Sequence, residues 1–395
     1  MRMNMQNINN KTGSNPEMTS RERVLAAFRR QPVDHVPCCP FVNFLLPEQR
    51  AGYSYQFPFG NSSLEQVDCF YHKLGSDPIV GIGMSRYYSE SNVSTRKWFE
   101  NNMIHKKWIT PSGELYAIVR YDKRWPHGFD IPLYTDFVSH FQKPWLENQA
   151  DLACLKHILK PLSSKEQWDE FKFAAAQQFS LAEQCGLATI AHIGTGLTGA
   201  LQLFTPTELC YKVMDDPDLV DEYLELEHRL NMQHIDIMLG LGVDIIRRNG
   251  FYETSDFYSP AMLDQFLGRR LADEIKIVHE AGKVIGYTVH TGVTPMIDYL
   301  NKLDFDCIMH LDIAHESNNI QRISHGLCGR KSFMTGPSNT FHMWSDDPAV
   351  VRKAVQEVFE IFGRTGLLVS ACPSSHSIMP WQNTLAMIEE WRNYR

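Results

Sequence analysis

Residues 284–312, VIGYTVHTGVTPMIDYLNKLDFDCIMHLD, contain two short apolar runs separated by a stretch of helical character. His290 follows the first run and Asp312 follows the second, so each run passes directly into polar residues. Runs that are apolar at nearly every position are typical of strands buried on both faces of a sheet. The stretch therefore predicts a strand, a crossover helix and a second, parallel strand.

Similar runs occur in both directions from this stretch. Together they cover residues 78–84, 187–193, 243–247, 284–289, 305–311, 332–335 and 367–370. No linker rich in Gly, Ser or Pro divides the series, and 395 residues lie within the range of one α/β barrel. We therefore predict an α/β protein with a single (β/α)8 barrel, the TIM barrel, over residues 19–395.

Two segments depart from the repeat of strands and helices. Residues 1–18 are polar and end at the helix-capping pattern TSRE (19–22), which predicts a disordered N-terminal tail. Residues 107–119 contain two β-rich runs around the turn PSG (111–113), which predicts a β-hairpin insertion. We expect this hairpin, the loop 339–344, or both, to wall the mouth of the barrel.

The composition excludes several classes of protein. Lys and Arg total 38 against 46 for Asp and Glu, a net charge of −8 with no basic run, which argues against nucleic-acid binding. No run approaches the ~18 consecutive apolar residues of a membrane-spanning helix. The nine cysteines are scattered and odd in number, which predicts reduced thiols and not a disulfide framework. We expect a cytoplasmic protein with a small-molecule substrate.

In a barrel the reactive side chains lie where strands end and loops begin. At such positions His290, Cys372 and Glu253 supply the nitrogen, sulfur and oxygen donors that zinc accepts, so they are the predicted metal ligands. Asp312 and Glu316 are substitutes for Glu253. The alternative is a hydrogen-bonded histidine and a cysteine that fills the core.

Further polar residues follow the other runs. The predicted substrate-binding residues are His192, Asn249, Asn339 and Trp344. The glycine-rich turn GTG at 194–196 precedes a helix, so it is either a tight turn between strand and helix or a cradle for an anion.

Several motifs carry a resemblance to a known family. The segments TSRERVLAAF (19–28), PVDHVP (32–37), HTGVTP (290–295) and PSSHSI (373–378) resemble the uroporphyrinogen decarboxylase superfamily, and the resemblance extends over about residues 19–392. It implies a TIM barrel. The decarboxylases carry an arginine-containing loop for substrate carboxylates, whereas residues 39–46 contain no arginine, so the resemblance favours the corrinoid-dependent methyltransferase and O-demethylase branch.

That branch implies a zinc ion held by a His-x-Cys pair and a distant cysteine. His290 and Cys372 match the first and last of these ligands, and Gly292 replaces the middle one. The resemblance also implies cobalamin carried by a separate corrinoid protein, because this chain lacks the D-x-H-x-x-G motif. His376, a proton or hydrogen-bond donor to the leaving oxygen, and Asp312 are the predicted catalytic residues.

Three functions remain open from the sequence. The first is a zinc-dependent methyltransferase that acts between a small, methoxylated substrate and a corrinoid protein. The second is a metal-free decarboxylase or lyase acting on a carboxylated substrate. The third is a barrel without catalysis that binds a tetrapyrrole or a partner protein.

Overall fold

The computed structural model describes residues 17–40, 63–83, 87–373 and 379–395. The strands are β1 (Val80–Ile82), β2 (Ser94–Glu100), β3 (Met103–Thr110), β4 (Gly113–Arg120), β5 (Phe141–Lys143), β6 (Thr189–Ile193), β7 (Ile245–Asn249), β8 (Val284–Thr288), β9 (Cys307–Asp312), β10 (Ser332–Gly336) and β11 (Leu367–Val369).

The α-helices are α1 (Ser20–Phe28), α2 (Ser63–Val67), α3 (Gln149–Ile158), α4 (Lys165–Cys185), α5 (Gly196–Phe204), α6 (Pro206–Asp215), α7 (Pro217–Gly240), α8 (Pro260–Leu263), α9 (Arg269–Glu280), α10 (Ile297–Lys302), α11 (Ile320–Leu327), α12 (Pro348–Phe362) and α13 (Trp381–Tyr394). π-Helical turns span Asp68–Lys73, Asp264–Gly268 and Asn339–Met343. No helix in the described part of the chain is long and apolar enough to span a membrane.

The main sheet contains seven parallel strands in the order β1-β6-β7-β8-β9-β10-β11. Each of the seven apolar runs overlaps one of these strands, and β7, β9 and β10 extend one or two residues beyond their runs. The strands β8, β9 and β10 are buried at every residue, because one face points into the barrel interior and helices cover the other. Helices such as α9, between β7 and β8, return the chain to the start of the next parallel strand.

Residues 37–39 join the two edges of this sheet. Val369 of β11 donates its N–H to the Pro37 carbonyl at 2.9 Å, and Cys39 donates its N–H to the Val369 carbonyl at 2.8 Å. On the other side, Asp77, just before β1, donates its N–H to the Cys38 carbonyl at 2.6 Å. The predicted α/β barrel is therefore confirmed, and residues 37–39 take the eighth strand position.

Helix α1 fills the N-terminal end of the barrel. It begins with the predicted capping box, in which Thr19 and Glu22 bond to each other's backbone N–H. Val24 and Phe28 of this helix pack inside the barrel against the first residues of several strands, including Val284 of β8. The opposite, C-terminal end of the lumen is left for polar side chains. The predicted tail, 1–18, lies almost wholly outside the described residues.

The insertion between β1 and β6 is larger than the predicted hairpin. The strands β2–β5 form a separate antiparallel sheet in chain order, with the predicted hairpin as the pair β3 and β4. The other two strands carry no apolar run, because β2 is exposed at nearly every residue and β5 has only 3 residues. At the hairpin turn, the Ser112 hydroxyl contacts His157 of α3 at 2.9 Å.

A buried arginine holds α1 onto the barrel. Arg23 binds Asp34 through Nε at 2.7 Å and Nη2 at 2.9 Å, and it binds Asp77 through Nη1 at 2.5 Å. The second oxygen of Asp77 accepts the N–H of Cys38 at 3.1 Å. This cluster therefore connects the helix that fills the barrel to the segment that closes it.

We expect Arg23→Met to lower the free energy of unfolding by about 3–5 kcal/mol, because it leaves two largely buried carboxylates without their cation. The measurement is urea denaturation followed by circular dichroism. Arg29→Met is the matched control on the same helix, since Arg29 is exposed and bonds to the Gly282 carbonyl, and we expect it to cost less than about 1 kcal/mol. Equal losses in the two variants would contradict the assignment.

Candidate functional site

Adjacent arginines on β7 face opposite sides of the barrel wall. Side chains alternate along a strand, so Arg247 points into the lumen and Arg248 points toward the helices. Arg247 donates from Nε to the hydroxyl of Thr288 on β8 at 2.8 Å. Arg248 binds Glu253 and Glu274. Both arginines are buried, with 5% and 3% of their surface exposed.

The guanidinium of Arg247 has no carboxylate partner among the described residues. Its only hydrogen bond there is the one to Thr288, which leaves Nη1 and Nη2 without a partner in that part of the chain. The guanidinium lies over the Phe251 ring, 5.4 Å from its centre. Burial lowers the pKa of Arg247 to about 10, so the group stays charged at neutral pH.

Two of the predicted metal ligands lie next to this guanidinium. The ring of His290 packs edge-on against Phe251, with centroids 4.8 Å apart, and its Nε2 is buried without a hydrogen-bond partner among the described residues. Burial and the charge of Arg247 lower the pKa of His290 to about 3, so the ring is neutral. The thiol of Cys372 donates to the His310 carbonyl at 2.9 Å. Burial raises the pKa of this thiol well above its ordinary value.

A β-bulge brings His310 into the same cluster. The pairing of β9 with β10 shifts after Met309, and His310 takes a left-handed backbone with φ +63°. A bulge of this kind re-aims a side chain, and left-handed backbone is costly outside glycine. The ring of His310 lies 6.3 Å from that of His290, and burial followed by the charge of Arg247 lowers its pKa well below the ordinary value. Apolar periodicity alone cannot reveal such a shift in register.

Asp312 lies at the end of β9, beside this cluster. Its carboxylate accepts the Ser338 hydroxyl at 2.8 Å, and its N–H donates to the His290 carbonyl at 2.9 Å. Asn318, which the sequence did not single out, donates to the carbonyls of both His290 and Asp312 at 2.8 Å. These bonds fix the ends of β8 and β9 relative to each other.

The structure does not bring Glu253 to His290 and Cys372. One carboxylate oxygen of Glu253 accepts Arg248 at 3.2 Å and the N–H of Leu197 at 2.9 Å, and the other accepts the hydroxyl of Tyr287 at 2.5 Å. Burial raises the pKa of Glu253 to about 7, although Arg248 acts in the opposite direction. Glu253 lies instead on the outer face of the strands, where its loop places it against Arg248.

The glycine-rich turn at 194–196 does bind anions, but they belong to this protein. The backbone N–H of Thr195 donates to Glu227 at 2.6 Å, and the N–H of Leu197 donates to Glu253. A Cβ at Gly196 would lie 2.2 Å from a Glu253 oxygen. Glycine is therefore needed here for the buried carboxylate, and the reading of this turn as a cradle for an external anion is wrong.

The remaining predicted residues occupy several positions. His192 lies on β6 in register with Arg247, and its side chain is exposed. The lumen is therefore accessible at this level.

The other predicted residues bond to nearby backbone or lie at the surface. Asn249 donates to the Ile193 carbonyl at 3.1 Å, and the N–H of Asn339 donates to the Cys372 carbonyl at 3.1 Å. Trp344, with 39% of its surface exposed, ends the turn that Asn339 begins. Glu316 is exposed, and His376 lies outside the described residues.

Gly292 stands where the resembling family has a cysteine. Its backbone conformation and its surroundings require glycine. Its φ is +62°, and a Cβ there would lie 2.7 Å from the backbone nitrogen of Asp256. Its N–H also donates to the Ser317 hydroxyl at 2.8 Å. A thiolate at this position would require the backbone of two loops to move.

No family model matches the chain, and no curated protein matches it. Among solved structures, the chain is similar to a methyltransferase from Methanosarcina mazei, at 14% identity over 96% of this chain and 99% of that chain, with a TM-score of 0.59. It is also similar to a B12-independent methionine synthase from Shewanella sp. W3-18-1, at 10% identity over 91% of this chain and 97% of that chain, with a TM-score of 0.49. The first comparison shows that this protein shares the fold of a methyltransferase almost from end to end.

Proposed function

We propose that this protein is a methyltransferase that moves a methyl group between a small substrate and the corrinoid of a separate protein. The observation that carries the proposal is the position of His290 and Cys372. These two residues match ligand positions of the resembling family, and both lie beside the buried Arg247 at the C-terminal end of the lumen. The shared fold with a methyltransferase supports the same conclusion.

The fit of zinc to this cluster is partial. Nε2 of the neutral His290, buried and without a partner among the described residues, is a suitable zinc donor, and Cys372 becomes one when its thiol loses its proton to bind the metal. However, no group of three or more His, Cys, Asp and Glu side chains in the described ranges is placed to hold a metal ion. We therefore propose zinc on His290 and Cys372, with further ligands from outside these ranges or from substrate, and we leave Glu253 out of the site.

Zinc held by these residues would supply a Lewis acid for the ether oxygen of a methoxylated substrate. The chain's own residues set up the site. The Asn318 amide fixes the backbone of His290 and Asp312, and the His310 carbonyl orients the Cys372 thiol. Asp312, held by Ser338, is the proposed catalytic carboxylate, and His376 is the proposed proton donor to the leaving oxygen.

One end of the barrel is filled and the other is polar, which suits a cofactor carried by a separate protein. Helix α1 fills the N-terminal end with apolar side chains, so we propose that the substrate and the corrinoid approach the opposite end. The turn Asn339–Met343 begins beside Cys372 at that end, whereas the hairpin turn packs on α3. Of the two segments proposed to wall the mouth, we retain the turn.

A second function is favoured by one specific observation. Arg247, which has no carboxylate partner among the described residues, suits a decarboxylase or lyase acting on a carboxylated substrate without metal. The two functions differ in their need for metal. Activity that survives complete removal of zinc by a chelator favours the lyase.

We expect Cys372→Ser to lose the bound zinc and to lower methyl transfer at least about 100-fold, because a hydroxyl is a much poorer zinc ligand than a thiolate. The measurements are elemental analysis of the purified protein and transfer of methyl from methoxylated aromatic compounds to cob(I)alamin. Cys307→Ser is the matched control, since Cys307 is also fully buried in the lumen but lies at its apolar end. Unchanged zinc content in Cys372→Ser would refute the metal site.

We expect Gly292→Cys to bind no additional zinc and to destabilise the protein by about 2–3 kcal/mol, through its left-handed backbone and its contact with Asp256. Gly282→Cys is the control, because Gly282 has φ +70° with nothing within 4 Å of a Cβ, so it reports the cost of the backbone alone, about 1 kcal/mol. Thermal unfolding and zinc titration measure both variants. If Gly292→Cys is as stable as Gly282→Cys and binds zinc more tightly, the steric explanation is wrong.

A further inference from the structure

Arg247 carries a positive charge that the described part of the protein does not neutralise. A buried charge normally has a counter-ion, because removal of an ion from water costs several kcal/mol. The other largely buried arginines described here follow that rule: Arg23 binds two aspartates, Arg248 two glutamates, and Arg270 binds Asp221 and Glu225. Arg247 therefore stands out as an arginine whose counter-ion comes from elsewhere.

The guanidinium of Arg247 is also held in one orientation. Thr288 accepts its Nε at 2.8 Å, and the Phe251 ring lies 5.4 Å from its carbon. These contacts leave the two Nη atoms as a planar pair of donors, and a carboxylate matches such a pair with two parallel hydrogen bonds. The site is therefore preorganised, which lowers the entropic cost of binding an anion.

The groups around Arg247 limit the charge of that anion. The Thr288 hydroxyl and the Phe251 ring, which contact the guanidinium of Arg247, are uncharged groups. A single guanidinium balances the one charge of a carboxylate and leaves the second charge of a phosphate monoester unpaired.

We propose that Arg247 binds a carboxylate group of the small substrate. Substrate reaches it from the side of His192, which is exposed in register with Arg247. With its carboxylate on Arg247, the body of the substrate extends toward His290 and Cys372. The inference that the other end of this molecule reacts there rests on the proposed function, whereas the carboxylate contact does not.

The test uses matched probes that differ only in charge. Isothermal titration calorimetry compares acetate, benzoate and 4-methoxybenzoate with the corresponding amides, and phenyl phosphate with benzoate. We expect at least one carboxylate to bind wild-type protein about 10–100-fold more tightly than its amide, the worth of a charge-assisted pair of hydrogen bonds. The proposal is overturned if no carboxylate outperforms its amide, or if phenyl phosphate binds more tightly than benzoate.

Variants assign the preference to this side chain. Arg247→Gln abolishes the preference for carboxylate over amide, and Arg247→Lys reduces it, because an ammonium keeps the charge but loses the planar pair of donors. Arg352→Gln, a part-buried arginine of α12 that binds Glu389, is the control and leaves the preference unchanged. Circular dichroism establishes that each variant is folded. A full preference in folded Arg247→Gln refutes the proposal.

The outcomes also separate this inference from the proposed function. Binding of the probes needs neither a corrinoid nor a methyl group. Methyl transfer by a protein without carboxylate preference refutes the role of Arg247 and leaves the methyltransferase in place. A carboxylate preference that depends on Arg247, in a protein that transfers no methyl group, keeps this inference and refutes the proposed function.

Discussion

The structure around the site depends on the ion cluster that Arg248 forms on the outer face of β7. Nε of Arg248 binds Glu274 of α9 at 3.0 Å, Nη2 binds Glu253 at 3.2 Å, and Nη1 donates to the Gly194 carbonyl at 2.9 Å. One side chain thus ties β7 to a helix, to its own loop and to the turn after β6. Because side chains alternate, the same strand is thereby fixed with Arg247 in the lumen.

The lumen is divided along its length into an apolar end, which α1 fills, and a polar end. Residues early in the strands, such as Ile245 and Val284, pack on α1 and form a dry core, whereas residues near the strand ends are polar. In a closed parallel barrel these polar ends converge at one mouth. This explains why residues far apart in the chain, such as His192, His290 and Cys372, lie around one guanidinium, and why no catalytic group is expected at the α1 end.

Much of the fold could be predicted from the sequence because each buried parallel strand is apolar at nearly every position. Residues 37–39 could not be predicted as a strand, since so short a segment shows no apolar run. The bulge at His310 escaped because it is a property of register between strands. At the site, the sequence placed His290 and Cys372 after the ends of strands, and the structure has them there. Glu253 was misplaced because its loop turns it toward Arg248, a direction that spacing cannot show.

Two adjacent buried arginines thus serve opposite purposes, Arg248 for stability and, as we propose, Arg247 for ligand binding. The most direct test compares the free energies of unfolding of Arg247→Met and Arg248→Met by chemical denaturation without ligand. Arg248→Met should lose about 3–5 kcal/mol, because Glu253 and Glu274 lose their cation. Arg247→Met should lose less than about 1 kcal/mol or gain stability, because an uncompensated charge leaves the interior. A loss in Arg247→Met as large as that in Arg248→Met would contradict the account.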